Sequence, residues 1–166
     1  MQNASARPAD RIETVLQTYG NMLFRLSLVM LGNEKDAEDA VQETIMKYLQ
    51  KAPIFTDPEH EKAWLLKVSA NQCRDMLRFR LRHPQTDLDA LRETAAESAA
   101  ETADSGILEA LMRLPEKYKL VLILYYVEEY RIEEIANLIG RSASAVKMRL
   151  QKGRRLLEET YRKEYL

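Results

Sequence analysis

The sequence predicts an all-α protein of two small helical domains joined by a flexible acidic linker, and three observations carry that prediction. Apolar residues recur at three- and four-residue steps over most of the chain, the spacing of amphipathic helices. Only five glycines and five prolines interrupt 166 residues, which leaves long helical runs intact. One stretch is rich in Ala, Glu, Ser and Thr but poor in large apolar side chains, and it divides the chain. The boundaries follow as a first domain over 1–83, a linker over 84–105 and a second domain over 106–166.

Residues 9–31 read as an amphipathic helix or a helix pair, with Ile12, Val15, Leu16, Tyr19, Leu23, Leu26 and Met30 turned inward. Gly32 and Asn33 break the pattern, and Asn33 is placed to cap a second helix. Residues 34–52 form that helix, with Ala37, Ala40, Val41, Ile45, Tyr48 and Leu49 as its buried stripe. Acidic residues crowd its first turns, where they favour the positive end of the helix dipole. Another face carries Asp39, Gln42, Glu43 and Met46. A solvated surface and a docking surface for a basic partner are both open readings of that face.

The run PIFTDP, residues 53–58, is a loop framed by two prolines, and Phe55 inside it reads as a buried anchor. Residues 59–82 make a third helix of two-part character. Ala63, Trp64, Leu65, Leu66 and Val68 bury its first half on nearly all sides, and Ala70, Cys73, Leu77 and Leu81 continue one inward stripe. The other side shows Asn71, Arg74, Arg78 and Arg82, and residues 67–82 hold five basic residues against one acid, Asp75.

The linker is marked by charge as well as by composition. Residues 84–109 carry seven acids against one base, Arg92, and Glu93, Glu97 and Glu101 repel one another at steps of four. Beyond it, ILEALMRL is a short helix ended by Pro115, and EKYKLVLILYYVEE is a strongly apolar one. Next come a short helix through Ile135, Ala136 and Ile139, a stop at Gly140, and Ser142 placed to cap a long basic helix. Val146 and Leu150 point inward from that helix, and Gly153 within it marks close packing or simple tolerance. This is helix-turn-helix grammar.

Several function classes find no support. No apolar run approaches the ~20 residues that span a bilayer, and the N-terminus lacks an apolar signal core. A lone cysteine, Cys73, excludes an internal disulfide and fits a reducing cytoplasm. With only His60 and His83 beside it, no metal-ligand cluster stands at zinc spacing, and no cofactor is implied. The adjacent pairs Glu128/Glu129 and Glu133/Glu134 face different directions on a helix, so an enzyme built on them is not expected. Charge instead points to a polyanion. From Arg141 to Arg155 there are six basic residues and no acidic one, in a chain of 25 basic and 26 acidic residues.

With these features in place, the sequence resembles the extracytoplasmic-function group of bacterial RNA polymerase sigma factors. DAEDAVQETIMKYL, residues 36–49, is similar to that family's polymerase-docking helix. AWLLKVSANQCRDMLR, residues 63–78, resembles its promoter-reading helix at Trp64, Leu65, Asn71, Asp75 and Arg78. The C-terminal block is similar almost throughout, most specifically at Leu114-Pro115-Glu116, Glu134-Ile135-Ala136, Val146-Lys147 and Arg149-Leu150.

The resemblance implies roles. Asp39, Gln42, Glu43 and Met46 would bind core RNA polymerase. Phe55, Thr56, Asn71, Arg74, Arg78 and Arg82 would recognise the −10 element of promoter DNA and help open it. Ser142, Ser144, Ala145, Lys147 and Met148 would meet base edges of the −35 element, while Arg141, Arg149, Lys152, Arg154 and Arg155 would neutralise phosphates. An anti-sigma factor covering these surfaces is the implied regulator. The rival reading is a stand-alone helix-turn-helix regulator whose first domain dimerises or senses a signal.

Overall fold

Helices account for all the regular structure described in the computed structural model, which covers residues 8–83 and 105–166. The expectations for residues 84–104 lie outside the described residues. The first domain is three helices, α1 (Pro8–Leu31), α2 (Glu34–Lys51) and α3 (Pro58–Arg82), packed pairwise against one another. The region 9–31 is thus one continuous helix. It ends at Gly32, whose φ of +85° is open to glycine at no steric cost. The Asn33 side chain then accepts the Asp36 N–H at 2.8 Å and caps α2.

The inward stripes hold in part: Ile12, Val41, Leu49, Ala63, Trp64, Val68 and Leu77 are only half-buried, because three helices leave the flanks of each stripe uncovered, and two residues are exposed outright. Val15, Tyr19, Leu23, Leu26 and Met30 of α1 and Ala37, Ala40, Ile45 and Tyr48 of α2 are buried. Leu16, expected inward, is exposed, because the Val15–Tyr19–Leu23–Leu26 line fills the packed face and Leu16 lies a third of a turn to one side. Leu81, also expected inward, is 84% exposed. Arg80 donates to the Leu31 carbonyl at 3.0 Å and pairs with Asp36 at 2.5 Å, tying α3 to the α1–α2 turn. Leu81 lies beyond that last anchor. The loop is shifted by one residue from the expected 53–58, since α2 ends at Lys51 and Pro58 already occupies the first turn of α3, where its missing N–H costs nothing, and Asp57 caps it through the His60 N–H at 2.7 Å.

The second domain comprises α4 (Ser105–Met112), α5 (Glu116–Leu122), α6 (Ile132–Ile139) and α7 (Ala143–Tyr165). The apolar run after Pro115 is α-helical only to Leu122; Ile123–Val127 form a π-helical turn. Leu120, Val121, Leu122, Ile123 and Leu124 bury this run almost completely against α7 and α6. The domains also touch: α1 meets α4 and α5, α3 meets α6, and the buried apolar residues of both form one cluster.

Candidate nucleic-acid interfaces

The second domain builds its basic surface from a turn upward. Arg131 opens α6 by donating its N–H to the Glu134 carboxylate at 3.0 Å, and that backbone bond, with help from the Arg131 side chain, holds the carboxyl below its usual range. Gly140 closes α6 at φ +70°, and the Arg141 N–H returns to the Ala136 carbonyl at 3.0 Å. Ser142 Oγ then accepts the Ala145 N–H at 3.1 Å and starts α7. Val146, Leu150 and Gly153 face inward from α7. A Cβ at Gly153 would stand 3.2 Å from Leu122 Cδ1, so the absent side chain lets α5 cross close beneath α7.

That close crossing brings the N-terminal turn of α5 beside the outer face of α7. Between them runs an open cleft of about 470 Å³ lined by Lys117, Tyr118, Ala145, Met148, Arg149, Gln151, Lys152 and Arg155. Lys117 and Lys152 both approach the Tyr118 ring, with ammonium groups 5.1 and 5.6 Å from its centroid. Burial pushes the Tyr118 hydroxyl up, but the two lysines together leave it below its ordinary value. Burial, with Arg141 and Arg74 nearby, likewise lowers the Arg149 guanidinium. The cleft is therefore a concentrated cationic site with two apolar groups, Ala145 and Met148, in its wall.

The cleft gathers only part of the expected −35 set. Arg141, Ser142 and Ser144 are exposed at the start of α7, where the Ser142 hydroxyl already serves as a cap. Lys147 is exposed but lies outside the cleft, and Arg154 turns to the far side, donating to the Tyr126 hydroxyl at 2.8 Å. Lys117 and Tyr118 belong to the cleft and were not anticipated. Their signal in the sequence, a lysine and an aromatic one turn into an apolar helix, is faint.

On the first domain, Asn71, Arg78 and Arg82 lie along the outer side of α3. Arg78 lies 3.5 Å from Asp75 in a solvent-screened pair of little strength. Arg74 stands apart, because its Nε donates to Glu116 of the second domain at 2.7 Å. Thr56 is exposed, whereas Phe55 is half-buried in an aromatic cluster with Tyr48, His60 and Trp64. On α2, Asp39, Gln42, Glu43 and Met46 all reach solvent, and Met46 is the large apolar group among them, 49% exposed. Among the described residues, no helix is long and apolar enough to cross a membrane and no group of acids, histidines and cysteine is placed to hold a metal ion.

Comparison with known proteins meets this geometry in both domains. The family profile for sigma-70 region 2 matches residues 15–83, and that for sigma-70 region 4 matches residues 105–157. The chain is 30% identical over 153 residues to the RNA polymerase sigma factor SigV of Bacillus subtilis, covering 92% of each chain. It is 26% identical to the ECF RNA polymerase sigma factor SigW of the same organism, over 92% of this chain and 90% of that one. Among solved structures, the sigma factor RpoE in complex with the anti-sigma factor NepR from Bartonella quintana superposes with a TM-score of 0.71, covering 93% of this chain and 98% of that chain at 20% identity. CnrH in complex with the cytosolic domain of CnrY gives 0.69 over 97% and 93%, at 23% identity. The chain belongs to the sigma-70 family of RNA polymerase sigma factors, in its extracytoplasmic-function group.

Proposed function

We propose that the chain is an alternative sigma factor that binds core RNA polymerase, directs it to promoters through −10 and −35 elements and aids strand opening, with no catalysis of its own. The cleft on the second domain carries this reading. A helix-turn-helix offers Ala145 and Met148 towards base edges, flanked by Lys117, Arg149, Lys152 and Arg155 for phosphates. Ser142, Ser144 and Lys147 extend the base-facing end, and Arg141 and Arg154 extend the phosphate contacts on either side.

The first domain supplies the other two contacts. Asp39, Gln42, Glu43 and Met46 form the polymerase-docking face, polar and acidic around one adaptable apolar side chain. Thr56, Asn71, Arg74, Arg78 and Arg82 face the −10 element, where binding of an unstacked strand offsets the cost of opening the duplex. Phe55 supports that loop from beneath through Tyr48 and Trp64. The protein acts in the cytoplasm with the polymerase, and an anti-sigma factor, of the kind found in complex with RpoE, would cover the same surfaces.

The test uses the full chain with core polymerase. Gln42→Ala combined with Glu43→Ala should abolish capture of the polymerase and promoter-dependent transcription while circular dichroism stays unchanged. Undiminished capture would remove the docking face from the assignment.

A further inference from the structure

The last turn of α3 carries an aromatic group that the core does not use. Phe79 is 61% exposed, whereas the other phenylalanine, tyrosine and tryptophan side chains among the described residues of the first domain are buried or half-buried. Its ring is not loose. The His83 imidazole stacks on it, with centroids 4.2 Å apart and planes within 21° of parallel. The Phe79 carbonyl holds that imidazole in place by accepting two bonds, from the His83 backbone N–H at 3.0 Å and from Nδ1 at 3.1 Å. Because a carbonyl can only accept, Nδ1 carries the proton in that bond. The result is a pre-ordered pair of flat rings at the surface.

Charge surrounds the pair in a definite order. Arg78 and Arg82, both exposed, stand four apart and form one column on the helix; Phe79 and His83 stand four apart and form the next. Leu81, 84% exposed, borders the arginines on their other side. A site for a protein partner places apolar groups at its centre and charge at its rim. Here the cations are central and the apolar groups flank them. That is the order a single nucleic-acid strand requires, with phosphates running along the charge and bases turned aside onto aromatic faces. A duplex offers no such faces, because its bases already stack on one another.

We propose that Phe79 and His83 form a stacking platform that takes one unpaired base of single-stranded DNA while Arg78 and Arg82 hold the flanking phosphates. The proposal rests on the reading of α3 as the helix that faces the opened −10 strand, and it adds an aromatic contact that this reading lacks. Asn71 lies about 12 Å earlier along the helix axis, so the base on the platform is a different nucleotide from the one Asn71 meets. Every base has a π-face. The platform therefore holds the strand open without selecting its sequence.

The test uses the full chain and two labelled strands of equal length, oligothymidylate and the same backbone with abasic sites, in fluorescence anisotropy titrations at one salt concentration. The parent should bind oligothymidylate about tenfold more tightly than the abasic strand. Phe79→Leu keeps the apolar bulk and removes the π-face, so it should lose most of that ratio while binding the abasic strand as the parent does. Phe79→Trp should keep the ratio or raise it, and circular dichroism of both variants should match the parent. A ratio unchanged by Phe79→Leu would overturn the platform, and is the result expected if Phe79 and Leu81 serve an apolar protein contact instead. Loss of the ratio in Phe79→Trp as well would also overturn it, since any large aromatic face suffices for stacking. The −10 reading of α3 fails separately: Arg78→Gln combined with Arg82→Gln would then bind both strands as tightly as the parent.

Discussion

Lys119 offers a prediction whose size is set by the structure. The residue is buried in α5, close enough to Cys73 and Arg80 of α3 to feel them, and its ammonium donates to the Met112 carbonyl at 3.3 Å. Burial brings its pKa down from 10.5 to about 8; the Glu116 carboxylate resists that fall and Arg80 adds to it. At pH 7 the folded protein still keeps the proton, but holds it about 3 kcal/mol less favourably than the unfolded chain does. Lys119→Met keeps the length of the side chain and removes that cost, losing one hydrogen bond of about 1 kcal/mol. The variant should gain about 2 kcal/mol at pH 7, or roughly 4–8 °C in Tm. The sign of the pH dependence is fixed by the same shift. Between pH 8 and 10.5 the unfolded chain binds a proton the folded chain has given up, so this residue's contribution to stability rises with pH there and is flat below. The advantage of the variant should accordingly shrink by about 1 kcal/mol between pH 7 and pH 9. Burial pushes the Cys73 thiol from 9.0 to about 11, which works in the opposite direction above pH 9 but is common to both proteins. Urea unfolding followed by circular dichroism at pH 7, 8 and 9 measures the difference. A variant less stable than the parent at pH 7, or a gain that does not change with pH, would refute the reasoning.

Three further outcomes are expected. Lys152→Gln should weaken duplex binding about equally for all sequences and reduce the slope of log K against log salt by about 0.9, measured by anisotropy titrations; a changed sequence preference would move Lys152 from phosphate to base contact. Gly153→Ala would press a methyl to 3.2 Å from Leu122, and overpacking of about 1–3 kcal/mol should outweigh the ~1 kcal/mol gained in helix propensity, so a more stable variant in urea would contradict the close crossing. Glu129→Gly relieves the left-handed strain and should raise stability by up to about 1 kcal/mol by calorimetry, whereas a loss would mean that the Glu129 side chain itself supports the turn.

Most of the fold was legible because each helix buries a stripe that its own sequence repeats. Val15, Tyr19, Leu23 and Leu26, or Ile135, Ala136 and Ile139, are readable at helical spacing, and Gly140 and Ser142 carry their turn chemistry locally. Leu16 and Leu81 fail where periodicity is silent about neighbours. Both fit a helical stripe, but packing stops a third of a turn short of one and one residue short of the other. The π-helical turn was equally hidden, since an unbroken apolar run such as ILYYV has no period to betray a change of winding.

The site was legible in charge and illegible in pairing. Six basic residues over Arg141 to Arg155 announce a polyanion, yet a count does not say that Arg154 faces Tyr126 while Arg149, Lys152 and Arg155 share a cleft with Lys117. The same limit governs the contact between domains. Arg25 stood on a helix read only for its core stripe, Lys62 in the first turns of an apolar helix, and Glu128 in an acidic doublet of no evident use. Each is ordinary alone, and 103 residues separate Arg25 from Glu128. What joins them is the fold: Glu128, its side chain 5% exposed, meets Arg25 at 2.8 Å and Lys62 at 3.5 Å, a pairing that no local pattern announces. Arg74 shows what this means for function. Its position on α3 made it a candidate for DNA, and in the structure its Nε donates to Glu116 at 2.7 Å, which engages one of the five guanidinium donors and no more.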